Sequence, residues 1–261
     1  MNIWYMSGAG NDFMVMDARG GEYDFEALAI KLCAQTKADG FMALDSTDQA
    51  DFRLHFYNSD GTRGEMCGNG ARCICKFAYD HGVVGESMSV LTDAGIVYGW
   101  RLGENLYRVQ LNNPGVLDLE RKENAAYVEL GNPGVPHGVV EVNGLRQKDR
   151  GELFAFAKAL RWDPAFPKGA NINMYDEIAP GEVHVLTFER GVEDFTLACG
   201  TGCGSLAVTL WAKGKLPQGK MTAHNEGGDL TVTVVAQDGH VEKLLLEGPA
   251  ELVKECDYEW I

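Results

Sequence analysis

A mixed α/β chain (α+β mixed), built as two similar pseudo-symmetric domains, is predicted by three observations. Strand-like and helix-like patterns alternate along all 261 residues, which is how α/β architectures announce themselves. A Cys-Gly-x-Gly tetrapeptide that opens a helix of small residues occurs twice, as Cys67-Gly68-Asn69-Gly70 and Cys199-Gly200-Thr201-Gly202, 132 positions apart. Two copies at that spacing are too few and too long for a solenoid, so duplication of one domain is the simpler account. Composition agrees: 45% hydrophobic and 23% charged residues are globular values, and the length suits one large domain or two small ones. The turn-forming run Asn112-Asn113-Pro114-Gly115 marks the boundary. It gives domains over 1–112 and 113–249, the first completed by a strand near 250–261.

The elements follow in order. Asp24 caps a helix over Phe25–Thr36, where Phe25, Leu28, Ala29, Leu32 and Cys33 recur at helical spacing. Residues 51–57 alternate, with Phe52, Leu54 and Phe56 on one face, and read as a strand. The turn Asn58-Ser59-Asp60-Gly61-Thr62 leads to the first Cys-Gly-x-Gly. After it comes a helix over 71–79, starting beside Cys67 and stopping at Gly82. Strands are predicted over 88–91, 96–101, 106–111, 127–130 and 138–142, then a helix over 152–160 and a strand over 183–188. The second Cys-Gly-x-Gly opens a helix over 203–213, closed by Gly214. Four strands finish the chain, at 221–223, 230–235, 243–246 and 252–254.

Charge excludes several roles. With 23 basic against 38 acidic residues, a net −15, the chain lacks the basic footprint that nucleic acid or an anionic membrane requires. No run of 18 apolar residues spans a membrane. No basic flank with an apolar run marks a secretory signal at the N-terminus, so the expected location is cytoplasmic, where the seven cysteines stay reduced. None of them forms a C-x-x-C pair, so no metal is expected. Cys73, Cys75 and Cys203 read as small buried hydrophobes.

Cys67 and Cys199 read differently. Each sits where a helix begins, beside glycines that let a ligand approach the backbone. Unpaired N–H groups and the partial positive charge of a helix N-terminus seat a carboxylate. The same field favours thiolate over thiol. If the two loops face one another, two sulfurs flank one α-carbon. One removes its proton as thiolate and the other returns a proton as thiol from the opposite side. That is the requirement of a racemase or epimerase, and it calls for no cofactor. Preorganised donors at the developing carboxylate charge and tuned acid–base groups would supply the rate.

Three blocks then resemble the diaminopimelate epimerase family. They are Ser7-Gly8-Ala9-Gly10-Asn11-Asp12-Phe13; Asn58 to Thr62 with Cys67 to Arg72; and Glu189-Arg190-Gly191 with Ala198 to Gly202. The resemblance implies two domains, each a sheet or barrel wrapped around a central helix, with the active site in the cleft between them. It implies Cys67 and Cys199 as the catalytic pair, assisted by Glu189 and His137, in a pyridoxal-independent enzyme. Asn11, Asn58, Asn171, Glu189 and Arg190 would line the amino-acid site, with backbone N–H groups from Gly68, Asn69, Gly200 and Thr201 on the reacting carboxylate. Ala43, Val135 and Phe195 depart from common family residues, Gln, Asn and an acid respectively, and two of these changes remove polar groups from expected ligand contacts. The expected reaction interconverts LL- and meso-diaminopimelate, for lysine and peptidoglycan precursors. Two alternatives stay open: racemisation of another amino acid, such as histidine, on the same scaffold, and a non-catalytic amino-acid-binding or thiol protein. The expected partner is a small amino acid, without nucleic acid or membrane; a homodimer and a monomer are both compatible with the sequence.

Overall fold

The computed structural model describes residues 2–64 and 67–257. Glu65 and Met66, inside the first signature block, and 258–261, at the end of the expected terminal strand, lie outside the described residues. The chain divides into two units, Met1–Gln110 with Glu247–Ile261, and Leu111–Leu246.

The first unit contains β1 (Asn2–Gly8), β2 (Asn11–Asp17), α1 (Phe25–Thr36), β3 (Gly40–Asp45), β4 (Phe52–Asn58), α2 (Gly68–Asp80), β5 (Ser87–Thr92), β6 (Gly95–Arg101) and all but the last residue of β7 (Leu106–Leu111). β1 pairs antiparallel with β2, β2 parallel with β3, and β3 antiparallel with β4. The sheet continues through β5, β6 and β7. Parallel neighbours need a crossover, and the two helices supply them. α1 connects β2 to β3 and α2 connects β4 to β5, one on each side of the sheet. Asp24 caps α1 by accepting from Ala27 N–H. α1 then buries Leu28, Ala29, Leu32 and Cys33 against Ile3, Met14, Met16, Phe41 and Ala43. α2 is enclosed on every side: 11 of its 13 residues are buried, and it packs against β1, β2, β3 and β6. Only Gly8 permits this at β1, because a Cβ there would lie 2.9 Å from both Asn69 O and Cys73 Sγ.

The second unit repeats the plan. It holds β8 (Pro114–Lys122), β9 (Ala125–Gly131), β10 (Gly134–Glu141), α3 (Arg150–Arg161), β11 (Asn171–Ala179), β12 (Glu182–Glu189), β13 (Asp194–Thr196), α4 (Gly200–Ala212), β14 (Lys220–Asn225), β15 (Gly228–Gln237) and most of β16 (His240–Pro249). β10 runs parallel to β11, which is antiparallel to β12, and β12 runs parallel to β14. α3, capped by Asp149, covers one face through Leu153, Ala157 and Leu160 against Ile172, Met174, Leu186 and Phe188. α4 is buried along 10 of its 13 residues and packs on β8 to β11, β14 and β15. After β16 the chain re-enters the first unit, where β17 (Glu251–Asp257) pairs antiparallel with β1.

Several elements were not anticipated. β1, β2, β3, β8, β11 and β13 escaped the sequence reading. Both inner helices also begin at the glycine after the cysteine, three residues earlier than their apolar pattern. Among the described residues, no helix is long and apolar enough to cross a membrane.

The buried thiols make the fold sensitive to alkali. Burial pushes the Cys33 thiol up to about 11 and the Cys73 and Cys75 thiols up to about 12, against about 8.5 for an unfolded thiol. Above about pH 8.5 the unfolded chain therefore sheds protons that the folded chain keeps. This stability is complete below that pH and lost as pH rises towards the folded values. The urea midpoint under reductant is expected to fall from pH 8 to pH 10, with Cys73 and Cys75 each accounting for about 2 kcal/mol. An unchanged midpoint would contradict it.

Candidate active site

In the first unit, Cys67 is the N-cap of α2, in extended conformation (φ −126°, ψ 122°) and half-buried. The first helical hydrogen bond runs from Ala71 N–H to Cys67 C=O, so the N–H groups of Gly68, Asn69 and Gly70 precede the helical ladder. Side chains fix this end. Asn69 Nδ2 donates to Asn11 Oδ1 at 2.5 Å, and Asn11 Nδ2 donates to Asp39 Oδ2 at 3.2 Å. Arg72, fully buried, donates to Asn69 Oδ1 at 2.9 Å, Gly68 O at 3.2 Å and Pro249 O at 3.2 Å. A guanidinium one turn into the helix thus adds positive charge to the end that holds Cys67.

In the second unit, Cys199 is the N-cap of α4 in almost the same conformation (φ −121°, ψ 108°), but buried. The register of three strands brings its neighbours together. Parallel pairing sets His137 on β10 beside Asn171 on β11, and antiparallel pairing sets Asn173 beside Thr187 on β12. His137 Nε2 lies 3.1 Å from Thr201 Oγ1, and its Nδ1 lies 3.1 Å from Asn173 Nδ2. Thr201 Oγ1 in turn lies 3.6 Å from Cys199 Sγ. Asn171 Oδ1 accepts from Arg190 N–H at 2.8 Å, and Glu189 accepts from Thr196 Oγ1 at 2.7 Å.

The electrostatics of this end depart from the thiolate expectation. Burial, then the charge of Glu189, push the Cys199 thiol well above its ordinary value; Thr201 and the Gly202 N–H act the other way and are outweighed. Desolvation of a charged sulfur exceeds the helix-end field here. Cys199 therefore rests as a thiol. Burial, then the charge of Arg190, push His137 down to about 3, so it is a neutral imidazole.

Other predicted residues sit less centrally. Asn58 Nδ2 donates to Thr62 Oγ1 at 3.0 Å and closes its own turn. Arg190 is exposed and donates to Lys168 O at 3.3 Å. Ala43 is buried in the α1 core, and Phe195 packs edge-on to Phe154 and Phe188 beside α3. Both lie on the sheet face away from α2 or α4. Val135 is exposed. A cavity of about 360 Å³ in the second unit, lined by Arg146, Arg150, His184 and His224 among others, includes none of the Cys199 cluster. Among the described residues, no group of three or more His, Cys, Asp or Glu is arranged to hold a metal.

Three residues in these clusters were missed: Arg72, Asn173 and Thr187. Arg72 had a signal, a cation set among the small and apolar residues Ala71, Cys73, Ile74 and Cys75. Asn173 had one too, since Asn171-Ile172-Asn173 in a strand puts both amides on one face.

Comparison with known proteins agrees with the duplicated design. The family model described as diaminopimelate epimerase matches residues 3–105 and 130–253. The chain is 32% identical to the diaminopimelate epimerase of Aquifex aeolicus, over 91% of each chain. It is 34% identical to that of Chlorobaculum tepidum, over 95% of this chain and 97% of the relative, and 35% identical to that of a Nitratiruptor species, over the whole of both. Among solved structures, a Bacillus anthracis phenazine biosynthesis protein of the PhzF family superposes with TM-score 0.76 at 15% identity, covering 100% of this chain and 99% of that one. A hydroxyproline epimerase from Agrobacterium vitis gives TM-score 0.72 at 16% identity, covering 98% and 90%; both show the shared fold. With family matches in both halves and relatives aligned along nearly its full length, the chain belongs to the diaminopimelate epimerase family, a family of isomerases.

Proposed function

We propose that this protein interconverts LL- and meso-diaminopimelate, with Cys67 and Cys199 as its two-base pair. Family membership supports the substrate; the observation that carries the mechanism is the repetition of one device, a cysteine N-cap on an enclosed helix, once in each unit. The N–H groups of Gly68, Asn69, Gly200 and Thr201 precede or open the helical ladders and suit the α-carboxylate, where charge develops as the α-proton leaves. Asn11, Asn58, Asn171 and Arg190 are the proposed side-chain contacts, with Arg190 suited to a distal carboxylate. Cys199 enters the cycle as a thiol and donates a proton in one direction; Cys67 removes the proton on the other side of the carbon. Glu189, whose charge reaches the Cys199 sulfur, favours that thiol form and the return of its proton. His137 acts as a neutral group beside Thr201. The reaction so written needs no cofactor, and a cytoplasmic setting suits seven free thiols.

The test is hydrogen exchange. In deuterated water under reductant, α-hydrogen loss from LL-diaminopimelate is expected by NMR, with histidine and proline unchanged. Exchange of histidine or proline without diaminopimelate would replace the substrate assignment.

A further inference from the structure

We propose that Asn173 is a positioning residue of the Cys199 half-site: it holds His137 in the Nε2–H tautomer, so that the Thr201 hydroxyl is directed at the Cys199 sulfur. The inference deepens the epimerase reading and rests on it only for the consequence in turnover.

The direction of each hydrogen bond follows from what each atom can do. Asn173 is fully buried. Its Nδ2 lies 3.1 Å from Gly138 O, 3.1 Å from His137 Nδ1 and 3.4 Å from Asn171 O, and its Oδ1 lies 3.1 Å from Thr187 Oγ1. Carbonyl oxygens only accept, so the amide edge turned to Gly138 must be the NH2 group. An amide NH2 only donates, so Nδ1 of His137 must be bare. Full burial and the nearby Arg190 charge keep the ring neutral, which leaves its one proton on Nε2. That N–H donates to Thr201 Oγ1 at 3.1 Å. The hydroxyl, filled on the imidazole side, keeps its own proton for Cys199 Sγ, 3.6 Å away.

A one-way chain results, from Thr187 through Asn173, His137 and Thr201 to the sulfur. It favours the thiolate and opposes what burial does. The charged and titratable groups that face the sulfur are Glu189 on β12 and Cys203 on α4; the imidazole faces Arg190. With the opposite tautomer, Nε2 would take the Thr201 proton and the sulfur would lose its donor. The first turn of α4 is seated on the same amide: a Cβ on Gly202 would lie 2.1 Å from Asn173 Oδ1.

Two readouts test this without turnover. Iodoacetamide alkylation of Cys199, followed by peptide mass spectrometry from about pH 8 upwards, reports its thiol ionisation. Nitrogen-15 shifts of histidine-labelled protein report the His137 tautomer. The native chain is expected to show bare Nδ1 and protonated Nε2. Thr201→Val removes the hydroxyl but keeps the backbone N–H, and is expected to raise the alkylation midpoint by about one pH unit, the scale of one hydrogen bond to a charged group. Thr201→Ser should restore the native midpoint. Asn173→Asp can only accept, so it is expected to move the proton to Nδ1 and raise the midpoint similarly. Nδ1–H in the native protein, or a native midpoint in Thr201→Val, would overturn the inference. If Asn173→Asp fails to fold, the threonine pair and the native tautomer decide it. Absence of diaminopimelate turnover would sink the substrate reading and leave these results standing; an unmoved midpoint with full turnover would sink this inference alone.

Discussion

Replacing Cys199 by alanine is expected to lower epimerisation of diaminopimelate by about 10³-fold or more, and replacing Cys67 to do the same. Inverting a carbon needs a base on one face and an acid on the other. The group that takes the proton in one direction returns it in the other, so loss of either thiol stops both directions. Neither His137 nor Thr201, the two groups linked to its sulfur, can stand in for Cys199. His137 is fully buried and neutral, and the hydroxyl of Thr201 is far too weak an acid to replace a thiol. Initial rates from LL- and from meso-diaminopimelate, measured on each variant after its fold is verified, check the expectation. A variant that keeps more than about a tenth of native activity would refute the two-thiol mechanism, since single-group acid–base contributions run to about 10²–10⁴.

Arg72→Met is expected to reduce stability by about 2–4 kcal/mol and to lower kcat/KM as well. The guanidinium is fully buried and donates to Gly68 O, Asn69 Oδ1 and Pro249 O. Methionine fills much of the volume but donates nothing, so Gly68 O, Asn69 Oδ1 and Pro249 O each lose one donor, and a buried group left unmet costs about 1–3 kcal/mol. Relaxation and the acceptors' remaining bonds offset part of that sum. The loss would be a large share of the stability of an ordinary domain. The kinetic effect has a separate cause: Asn69, once released, no longer fixes Asn11 and the first turn of α2. A urea midpoint equal to that of the native chain would show that Arg72 is not holding the helix end.

The parts of this fold that could be read in advance were those written in local pattern. Helix α1 was legible because Asp24 caps it and apolar residues return every three or four positions. The cysteine N-caps were legible because glycine follows cysteine twice. Glycine is also why both inner helices were started late: it resists helix, so Gly68 and Gly200 read as loop until a cysteine cap and an enclosing sheet are in place. β2 and β3 were missed for a different reason. Four and five consecutive residues in them are buried, so covered faces on both sides erase the alternation that marks a strand. β11 was missed because Asn171 and Asn173 resemble turn residues when their partners are unseen.

Within the site, what sequence could not supply was depth. The thiolate expectation for Cys199 followed from the helix end, which is local. The opposing effect is desolvation, which depends on strands far away in the chain. Asn173 was invisible as an organiser for the same reason, because its partners Gly138 and Thr187 lie 35 and 14 positions away.

The strands of each sheet serve two masters, and this separates two histories. Along β11, Ile172 and Met174 answer to α3, while Asn171 and Asn173 answer to the chemistry at α4. A change on the outward side alters how firmly the unit resists unfolding; a change on the inward side alters what it does. Ala43 and Phe195 are outward changes. The two sides of one strand can therefore be altered separately: repacking Ile172 or Met174 touches the helix that covers the unit, while Asn171 and Asn173 go on addressing the sulfur.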